Sequence, residues 1–292
     1  SDLAASVRNP AAMCSVVGLR TTPGTIPSGS DFFDPLPVLG PIARSAADAA
    51  LLLAGMRGHD PELPLARPGT AGAPWAEADG VAGLRVAWSA DLGGLPVAPE
   101  VARVLARARD LLAAAGAVTV DAEPDLADAD EVFMVLRAVR MAGGFGALLE
   151  TARDQLKDTL IGNIEQGLAL SGPQVATAQR RHGEIFARMK AFLRGYDVLA
   201  APTVQVPPFP VEQEWVTAIN GIPQDTYIDW LRSCSRITVT GHPAVSVPAG
   251  FTAGLPVGLQ LVGRYGTDER LLSTAGAVAR VLLPEPARPP GP

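Results

Sequence analysis

The sequence predicts an α/β fold with helices on both faces of a largely buried β-sheet. Short apolar runs, typical of buried strands, alternate with longer segments whose apolar residues recur at helical spacing. The chain has 292 residues, 48% hydrophobic and 18% charged, which suffices to bury a sizeable core. No internal repeat interrupts this order. Length alone leaves open one large domain or two smaller ones.

The first third of the chain alternates between strand and helix signals. Residues 16–19 are a short apolar run that predicts a buried strand, and 21–37 are rich in Pro, Gly, Ser and Asp, as in a loop. A capping-box pattern opens a predicted helix over 45–56. A Pro- and Gly-rich connector follows, and residues 83–88 predict the next strand.

The middle of the chain is mostly helical. A strong helix is predicted over 99–115, because Pro99 suits its first turn, Gly116 suits its stop and its apolar residues recur at helical spacing. Residues 117–120 predict a strand. Residues 127–195 are predicted to be helical, with breaks near 143–144 and 171–173.

The last third returns to strands. Residues 196–203 predict a strand, and 225–240 predict a helix. Strands over 244–248 and 257–262, separated by a Gly-containing turn, predict a hairpin. A final helix is predicted from near Asp268, and residues 284–292 form a Pro-rich tail.

Composition excludes several classes of function. The net charge is −6 without any basic or acidic run, which argues against nucleic acid as a direct partner. No stretch approaches the ~20 apolar residues of a membrane helix. Cys14 and Cys234 lie too far apart for a metal-binding motif, so we expect no metal site and a reducing, cytoplasmic location.

Four motifs, taken together and in order, resemble the amidase signature family. They are the run S-D-L-A-A-S-V-R-N-P that begins at residue 1 and continues to 24, the segment 40–48, the strand 196–203, and the segment from 241 to 260. The resemblance implies a mixed β-sheet sandwiched between helices in a single domain, over 1–283. It also implies that several strands and helices of that domain precede residue 1.

The resemblance assigns Ser6 as the nucleophile that forms an acyl-enzyme. In the family a lysine and a serine on a cis peptide bond activate this nucleophile, and both are expected upstream of residue 1. The family hydrolyses carboxylic amides to an acid and ammonia or an amine, without metal or organic cofactor. Backbone N–H groups of Leu3, Ala4 and Ala5, with that of Ser6, are expected to form the oxyanion hole.

This sequence departs from the family pattern at Ala4 and Ala5, where the family usually has two glycines. Either the backbone keeps ordinary φ values here, or the oxyanion hole is strained or reshaped. The two extra methyl groups could also crowd the pocket. Asp2 and Arg8 are expected to brace the loop through charge-assisted hydrogen bonds, and contact with substrate is the alternative role.

Other residues could in principle activate a nucleophile or line a pocket. No Gly-x-Ser-x-Gly elbow surrounds Ser6, which argues against an α/β-hydrolase. We expect surface or structural roles for the two lysines and three histidines: Lys157, Lys190, His59, His182 and His242. Cys14 is expected to be buried and to serve core packing.

Aromatic residues give two interpretations. Tyr227 and Trp230 share one face of the predicted helix, which indicates core packing or, alternatively, a wall of the acyl pocket. Phe32, Phe33 and Phe209 are weaker candidates for the same wall.

The sequence therefore predicts an amidase acting on a small-molecule amide, with a homodimer as a possible assembly and no nucleic-acid or membrane partner. An alternative within the family is the glutaminase (A) subunit of a tRNA-dependent amidotransferase, which the sequence separates only weakly. An alternative of another class is a non-catalytic amidase-like module, favoured by the absent relay and by Ala4-Ala5.

Overall fold

The computed structural model describes residues 1–28, 33–67, 75–76 and 78–283. Within these residues the predicted α/β class is confirmed: a seven-stranded mixed sheet carries helices on both faces. The predicted Pro-rich tail, 284–292, lies outside the described residues. The single domain over 1–283 stays a prediction.

The main sheet combines a parallel and an antiparallel half. Its strands, in spatial order, are β2 (Ile42–Ala43), β1 (Val17–Arg20), β8 (Ala244–Thr252), β9 (Leu255–Val262), β5 (Val198–Pro202), β3 (Arg85–Trp88) and β4 (Val118–Asp121). Strand β3 pairs in parallel with β4 and β5, and the remaining pairs are antiparallel. The parallel pairs require crossover connections, which helices supply. A separate two-stranded sheet pairs β6 (Ala218–Ile219) with β7 (Ile222–Pro223).

Helices occupy most of the remaining described chain. The α-helices are α1 (Arg8–Met13), α2 (Ala46–Met56), α3 (Pro99–Ala114), α4 (Ala129–Phe145), α5 (Leu148–Thr151), α6 (Asp158–Leu168), α7 (Gly172–Phe192), α8 (Arg232–Thr238) and α9 (Asp268–Leu282). Short 3-10 turns cover Arg153–Gln155, Leu193–Gly195 and Asp229–Leu231.

Two apolar clusters cover the two faces of the sheet. Helices α2, α3 and α9 pack on one face, and α1, α4, α7 and α8 contribute to the cluster on the other. Strand β5 shows the alternation directly: Val198 and Ala200 belong to the first cluster, Leu199 and Ala201 to the second. A strand buried on both faces has a continuous apolar sequence, as this one does.

Several predicted boundaries are confirmed, with local causes. Helix α3 has Pro99 in its first turn and stops before Gly116, whose φ of 93° favours glycine. The predicted hairpin is formed by β8 and β9, joined by Ala253 and Gly254, both with positive φ.

One predicted helix boundary is confirmed and another is wrong. The break predicted near 143–144 falls one residue later, because α4 ends at Phe145 and Gly146 follows it. The helix predicted over 225–240 is a 3-10 turn followed by α8. The carboxylate of Asp229 accepts a hydrogen bond from the Thr226 N–H at 2.7 Å, which holds the preceding residues out of the helix.

The predicted burial of Cys14 is wrong. Cys14 is exposed and follows the last residue of α1, whereas Ala11 and Ala12, on the sheet-facing side, are buried. Cys234 is fully buried in α8, and burial raises the pKa of its thiol to about 12.

Thiol labelling should distinguish these two cysteines. We expect iodoacetamide to modify Cys14 in the native protein and Cys234 only after denaturation, because the buried thiol is neither accessible nor ionised. Peptide mass spectrometry of native and unfolded samples measures both sites. Equal labelling of the two cysteines in the native protein would contradict the structure.

Candidate active site

Helix α1 and the loop before it form the candidate site, and close packing holds the helix on the sheet. A Cβ added at Gly18 of β1 would lie 2.6 Å from the Ala11 Cβ, and one at Gly258 of β9 would lie 2.5 Å from the Ala12 Cβ. These distances are too short for any side chain. The two glycines therefore let the helix lie directly against β1 and β9, which positions the loop of residues 2–7.

A buried ion pair ties the start of this loop to α1. Asp2 and Arg8 have no exposed surface, and the guanidinium donates from Nη2 to Oδ1 and from Nε to Oδ2, both at 3.0 Å. Such bidentate pairs fix orientation as well as charge. A second buried cation, Arg20, donates to the Asp2 carbonyl at 2.6 Å.

The remaining donors of Arg8 anchor the loop to the rest of the fold. Nη1 donates to Oε1 of Gln260 on β9 at 2.7 Å and to the Cys234 carbonyl at 2.9 Å. Nη2 also donates to Oγ1 of Thr238 and to the Ala4 carbonyl, each at 2.9 Å. This is the geometry that the predicted bracing role of Asp2 and Arg8 requires.

The charges of this network are set by burial and by one another. Burial alone opposes ionisation of Asp2, but the guanidinium groups of Arg8 and Arg20 outweigh it, and the pKa of Asp2 is lowered. Burial lowers the pKa of Arg20 to about 10. All three groups are therefore charged at neutral pH.

The backbone N–H groups of residues 3–6 in this loop are unused. The Asp2 carbonyl accepts from Arg20 and from the Val38 N–H, the Ala4 carbonyl from Arg8, and the Ala5 carbonyl from the Asn9 N–H at 2.8 Å. In a trans peptide the N–H points opposite to the carbonyl. No acceptor in the described chain takes a hydrogen bond from the N–H groups of residues 3–6.

The structure decides between the alternatives for Ala4 and Ala5. Neither has a positive φ, so the loop adopts a conformation that alanine accepts without strain. Both residues are buried and belong to the apolar cluster on the α1 side of the sheet. Their methyl groups therefore pack into the core.

Ser6 is exposed and lies two residues before Arg8, the first residue of α1. Its hydroxyl has no hydrogen-bond partner among the described residues, and both lysines of the chain lie elsewhere. Lys157 lies 3.8 Å from Glu214, and Lys190 lines a pocket with His242. The described part of the chain therefore offers this hydroxyl no bound proton acceptor.

The histidines lie apart from the serine hydroxyl. His59 is exposed. His182 of α7 is half-buried near Val239, and burial lowers its pKa. His242 is buried, with Nδ1 2.7 Å from the Thr240 carbonyl. Because a carbonyl only accepts, Nδ1 carries the proton, and burial lowers the pKa of His242 to about 4.

The burial of His242 predicts that the folded protein loses stability in acid through this residue. Below pH 6.5 an unfolded His242 takes up a proton, whereas the folded one stays neutral until about pH 4. The folded state therefore loses roughly 3 kcal/mol through this group as pH falls across that window. Urea unfolding at several pH values should show a shallower acid decline in His242→Leu than in the wild type. His59→Leu, at an exposed position, should leave the decline unchanged; equal slopes in the wild type and His242→Leu would contradict the assignment.

Of the two main aromatic candidates, Trp230 is buried and Tyr227 is exposed. Trp230 is buried in the same cluster as Ala4 and Ala5 and makes an edge contact with Phe209, with ring centroids 5.3 Å apart. Tyr227 is 41% exposed, 6.5 Å from Trp230 between centroids. Trp230 therefore serves core packing. Phe33 is exposed, and Phe32 lies outside the described residues.

Three polar residues of the site were not predicted: Arg20, Thr238 and Gln260. Two of them carry a usable signal, because Arg20 and Gln260 stand in otherwise apolar strands. A polar residue in a strand buried on both faces must find a partner inside the protein. Thr238 carries no comparable signal.

Two classes of feature are absent from the described residues. No group of three or more His, Cys, Asp or Glu side chains is placed to hold a metal ion. No helix there is both long and apolar enough to cross a lipid bilayer.

Comparison with known proteins places the sequence in a family. The profile of the family described as Amidase matches residues 1–272. The chain is 36% identical over 284 residues to an acylamidase of Rhodococcus erythropolis, covering 94% of this chain and 59% of that protein. It is 32% identical over 317 residues to the A-type component of the glutamyl-tRNA(Gln) amidotransferase of Moorella thermoacetica, covering 95% of this chain and 61% of that protein.

Solved structures agree with the fold. A bacterial aryl acylamidase of the amidase signature family superimposes with a TM-score of 0.86 at 26% identity, over 96% of this chain and 61% of that one. A 6-aminohexanoate cyclic dimer hydrolase superimposes with a TM-score of 0.79 at 25% identity, over 97% and 64% of the two chains. The chain thus spans about three fifths of the length of these relatives.

Proposed function

Because this chain belongs to the amidase family, the amidase signature enzymes, we propose that the whole protein hydrolyses carboxylic amides through an acyl-enzyme on Ser6. One observation carries the proposal beyond family membership. The buried Asp2–Arg8 pair holds a loop that presents an exposed serine hydroxyl beside four unused backbone N–H groups. An acyl-transfer site needs a nucleophile and oxyanion donors in this proximity.

The loop supports the following reaction. Ser6 Oγ attacks the amide carbonyl carbon, and its proton passes to a base. The carbonyl oxygen becomes an oxyanion that accepts hydrogen bonds from the N–H groups of residues 3–6. The C–N bond then breaks, the nitrogen takes the proton, and the acyl group remains as an ester on Ser6. Water attacks the ester by the same route and releases the acid.

The oxyanion donors are pre-oriented by the carbonyls of the same peptides. Arg8 holds the Ala4 carbonyl and α1 holds the Ala5 carbonyl, so the N–H groups of Ala5 and Ser6 point to the opposite side. Removing one such donor typically costs about 3 kcal/mol of transition-state stabilisation. Fixed donors avoid the reorganisation that free water would need.

The base is proposed to come from outside this chain. The family relay uses a lysine, which acts as a base only when desolvation keeps it neutral. Lys157 is exposed, and its Nζ lies 3.8 Å from Oε1 of Glu214. We therefore propose that the relay lysine and the cis-peptide serine belong to residues preceding Ser1.

The relatives suggest the class of substrate. An acylamidase and an aryl acylamidase are among the similar proteins, which supports a small acyl amide as substrate. Tyr227, partly exposed at the edge of the cluster that contains Ala4 and Ala5, is the better candidate for a pocket wall, with Trp230 packed beneath it. A cytoplasmic location and a homodimer stay predictions.

A second candidate is the glutaminase component of a tRNA-dependent amidotransferase. Several A-type components of glutamyl-tRNA(Gln) amidotransferases are 28–32% identical to this chain. That function shares the acyl-enzyme on the same serine. It would also require partner subunits.

The test is a substrate panel with the full-length protein. We expect release of amine from aliphatic and aryl acyl amides, measured by mass spectrometry, and labelling by a fluorophosphonate. Glutamine hydrolysis together with co-purifying subunits would instead favour the amidotransferase. If the full-length protein showed no turnover and no labelling, the non-catalytic module would be favoured.

A further inference from the structure

A cation-lined aromatic pocket lies at the end of α7. It has a volume of about 390 Å³ and is lined by Phe186, Lys190, Arg194, His242, Arg264 and Tyr265, with Leu193. Three of these side chains are cationic and none is acidic. In a chain of net charge −6, such a grouping of cations is not expected from composition.

The cations of this pocket are not neutralised by the fold. Lys190 and Arg194 form no ion pair within the described chain, and both are exposed. Arg264 is held in place by two carbonyls: Nε donates to Leu193 at 3.0 Å and Nη2 to Tyr196 at 2.9 Å. Its position is thus fixed, while its positive charge has no carboxylate partner among the described residues.

The apolar part of the pocket is a group of three rings in mutual contact. The ring centroid of Phe186 lies 5.2 Å from those of both His242 and Tyr265, and His242 lies 6.2 Å from Tyr265. The guanidinium of Arg67 lies 5.2 Å from the Tyr265 centroid and supports that ring. His242 is uncharged at neutral pH, so it adds no charge to the pocket.

Size and chemistry together indicate the class of ligand. At ~30 Å³ per water-sized group, a pocket of about 390 Å³ holds roughly a dozen non-hydrogen atoms. Inorganic phosphate would leave most of that space and the rings unfilled. We propose that this pocket binds a small aromatic carboxylate, its ring against Phe186 and Tyr265 and its carboxylate between Lys190, Arg194 and Arg264.

The inference goes beyond the proposed hydrolysis and is tested by binding rather than turnover. Fluorescence or calorimetric titration of the full-length protein with 2-naphthoate should show saturable binding at or below low millimolar concentration. The double variant Lys190→Ala, Arg194→Ala should raise the Kd at least about tenfold, because both unpaired cations are lost. Circular dichroism should show it folded, since both residues are exposed.

Three controls define the chemistry. Lys157→Ala removes a lysine that lies beside Glu214 and does not line the pocket, and it should leave the Kd within about twofold. The uncharged 2-naphthylmethanol and inorganic phosphate should each bind much more weakly than 2-naphthoate. The proposal is overturned by absence of saturable binding, by an unchanged Kd in the double variant, or by equal affinity for either control ligand. None of these outcomes depends on Ser6.

Discussion

Replacing Ser6 by alanine should lower amide hydrolysis by at least about a thousandfold and abolish fluorophosphonate labelling. The hydroxyl oxygen forms the ester bond of the proposed acyl-enzyme, and a methyl group cannot replace it. The residual rate should reflect substrate binding and the oxyanion donors alone. Because the side chain is exposed and makes no hydrogen bond to the described residues, the variant should fold like the wild type.

Ser45→Ala is the matched control for this substitution. The Ser45 hydroxyl caps α2 by accepting from the Asp48 N–H at 3.1 Å, far from the candidate site in sequence. Its loss should lower the free energy of unfolding by about 1 kcal/mol and leave turnover and labelling unchanged. If Ser6→Ala kept wild-type turnover in the full-length protein, the proposed nucleophile would be wrong.

Replacing Asp2 by asparagine should lower the free energy of unfolding by about 3–5 kcal/mol. The substitution keeps the shape of the side chain but leaves Arg8 and Arg20 buried without a counter-charge. Breaking a fully buried ion pair on one side costs this much because the remaining charge is desolvated and unpaired. Urea unfolding at neutral pH measures the loss, and hydrolysis should fall as well if the loop positions Ser6.

Glu165→Gln is the matched control for Asp2→Asn. Glu165 pairs with Arg153 at 2.7 Å, but both side chains are about half exposed, and such surface pairs contribute less than about 1 kcal/mol. A loss in Asp2→Asn as small as that of Glu165→Gln would show that the buried network does not stabilise the loop.

The pH dependence of Asp2→Asn follows from the lowered pKa of Asp2. A carboxylate with a lowered folded-state pKa stabilises the protein above its unfolded pKa, and this contribution is lost as pH falls through the folded pKa. The stability difference between wild type and Asp2→Asn should therefore be full at neutral pH and shrink in acid. A difference that stays constant down to strongly acid pH would contradict an ionised Asp2.

Local sequence predicted most of the fold because strands and helices leave local patterns. The apolar run that became β5 and the Pro99 and Gly116 signals around α3 needed no distant contact. The prediction of one helix over 225–240 failed, because a hydrogen bond from the Thr226 N–H to Asp229 holds the residues before α8 out of the helix. The two-residue strands β2, β6 and β7 are too short to leave a periodic pattern.

The candidate site was predictable only where its residues are neighbours in sequence. Ser6, Asp2 and Arg8 stand within one motif, and the resemblance indicated all three. The partners of Arg8 on β9 and α8 lie more than 220 residues away, and no local pattern connects them. The exposure of Cys14 likewise depends on which side of α1 meets the sheet.

The sequence by itself determined the alternation of strands and helices and the family, and it supplied the proposed nucleophile, Ser6. Only the tertiary structure decided that Ala4 and Ala5 keep ordinary backbone angles, that Gln260 and Arg20 join the Asp2–Arg8 network, and that Lys190 and Arg264 share a pocket. The physical reason is the separation along the sequence over which each effect acts. Hydrophobic periodicity and turn preferences act over a few residues, whereas burial and charge pairing depend on segments that meet only when the chain folds.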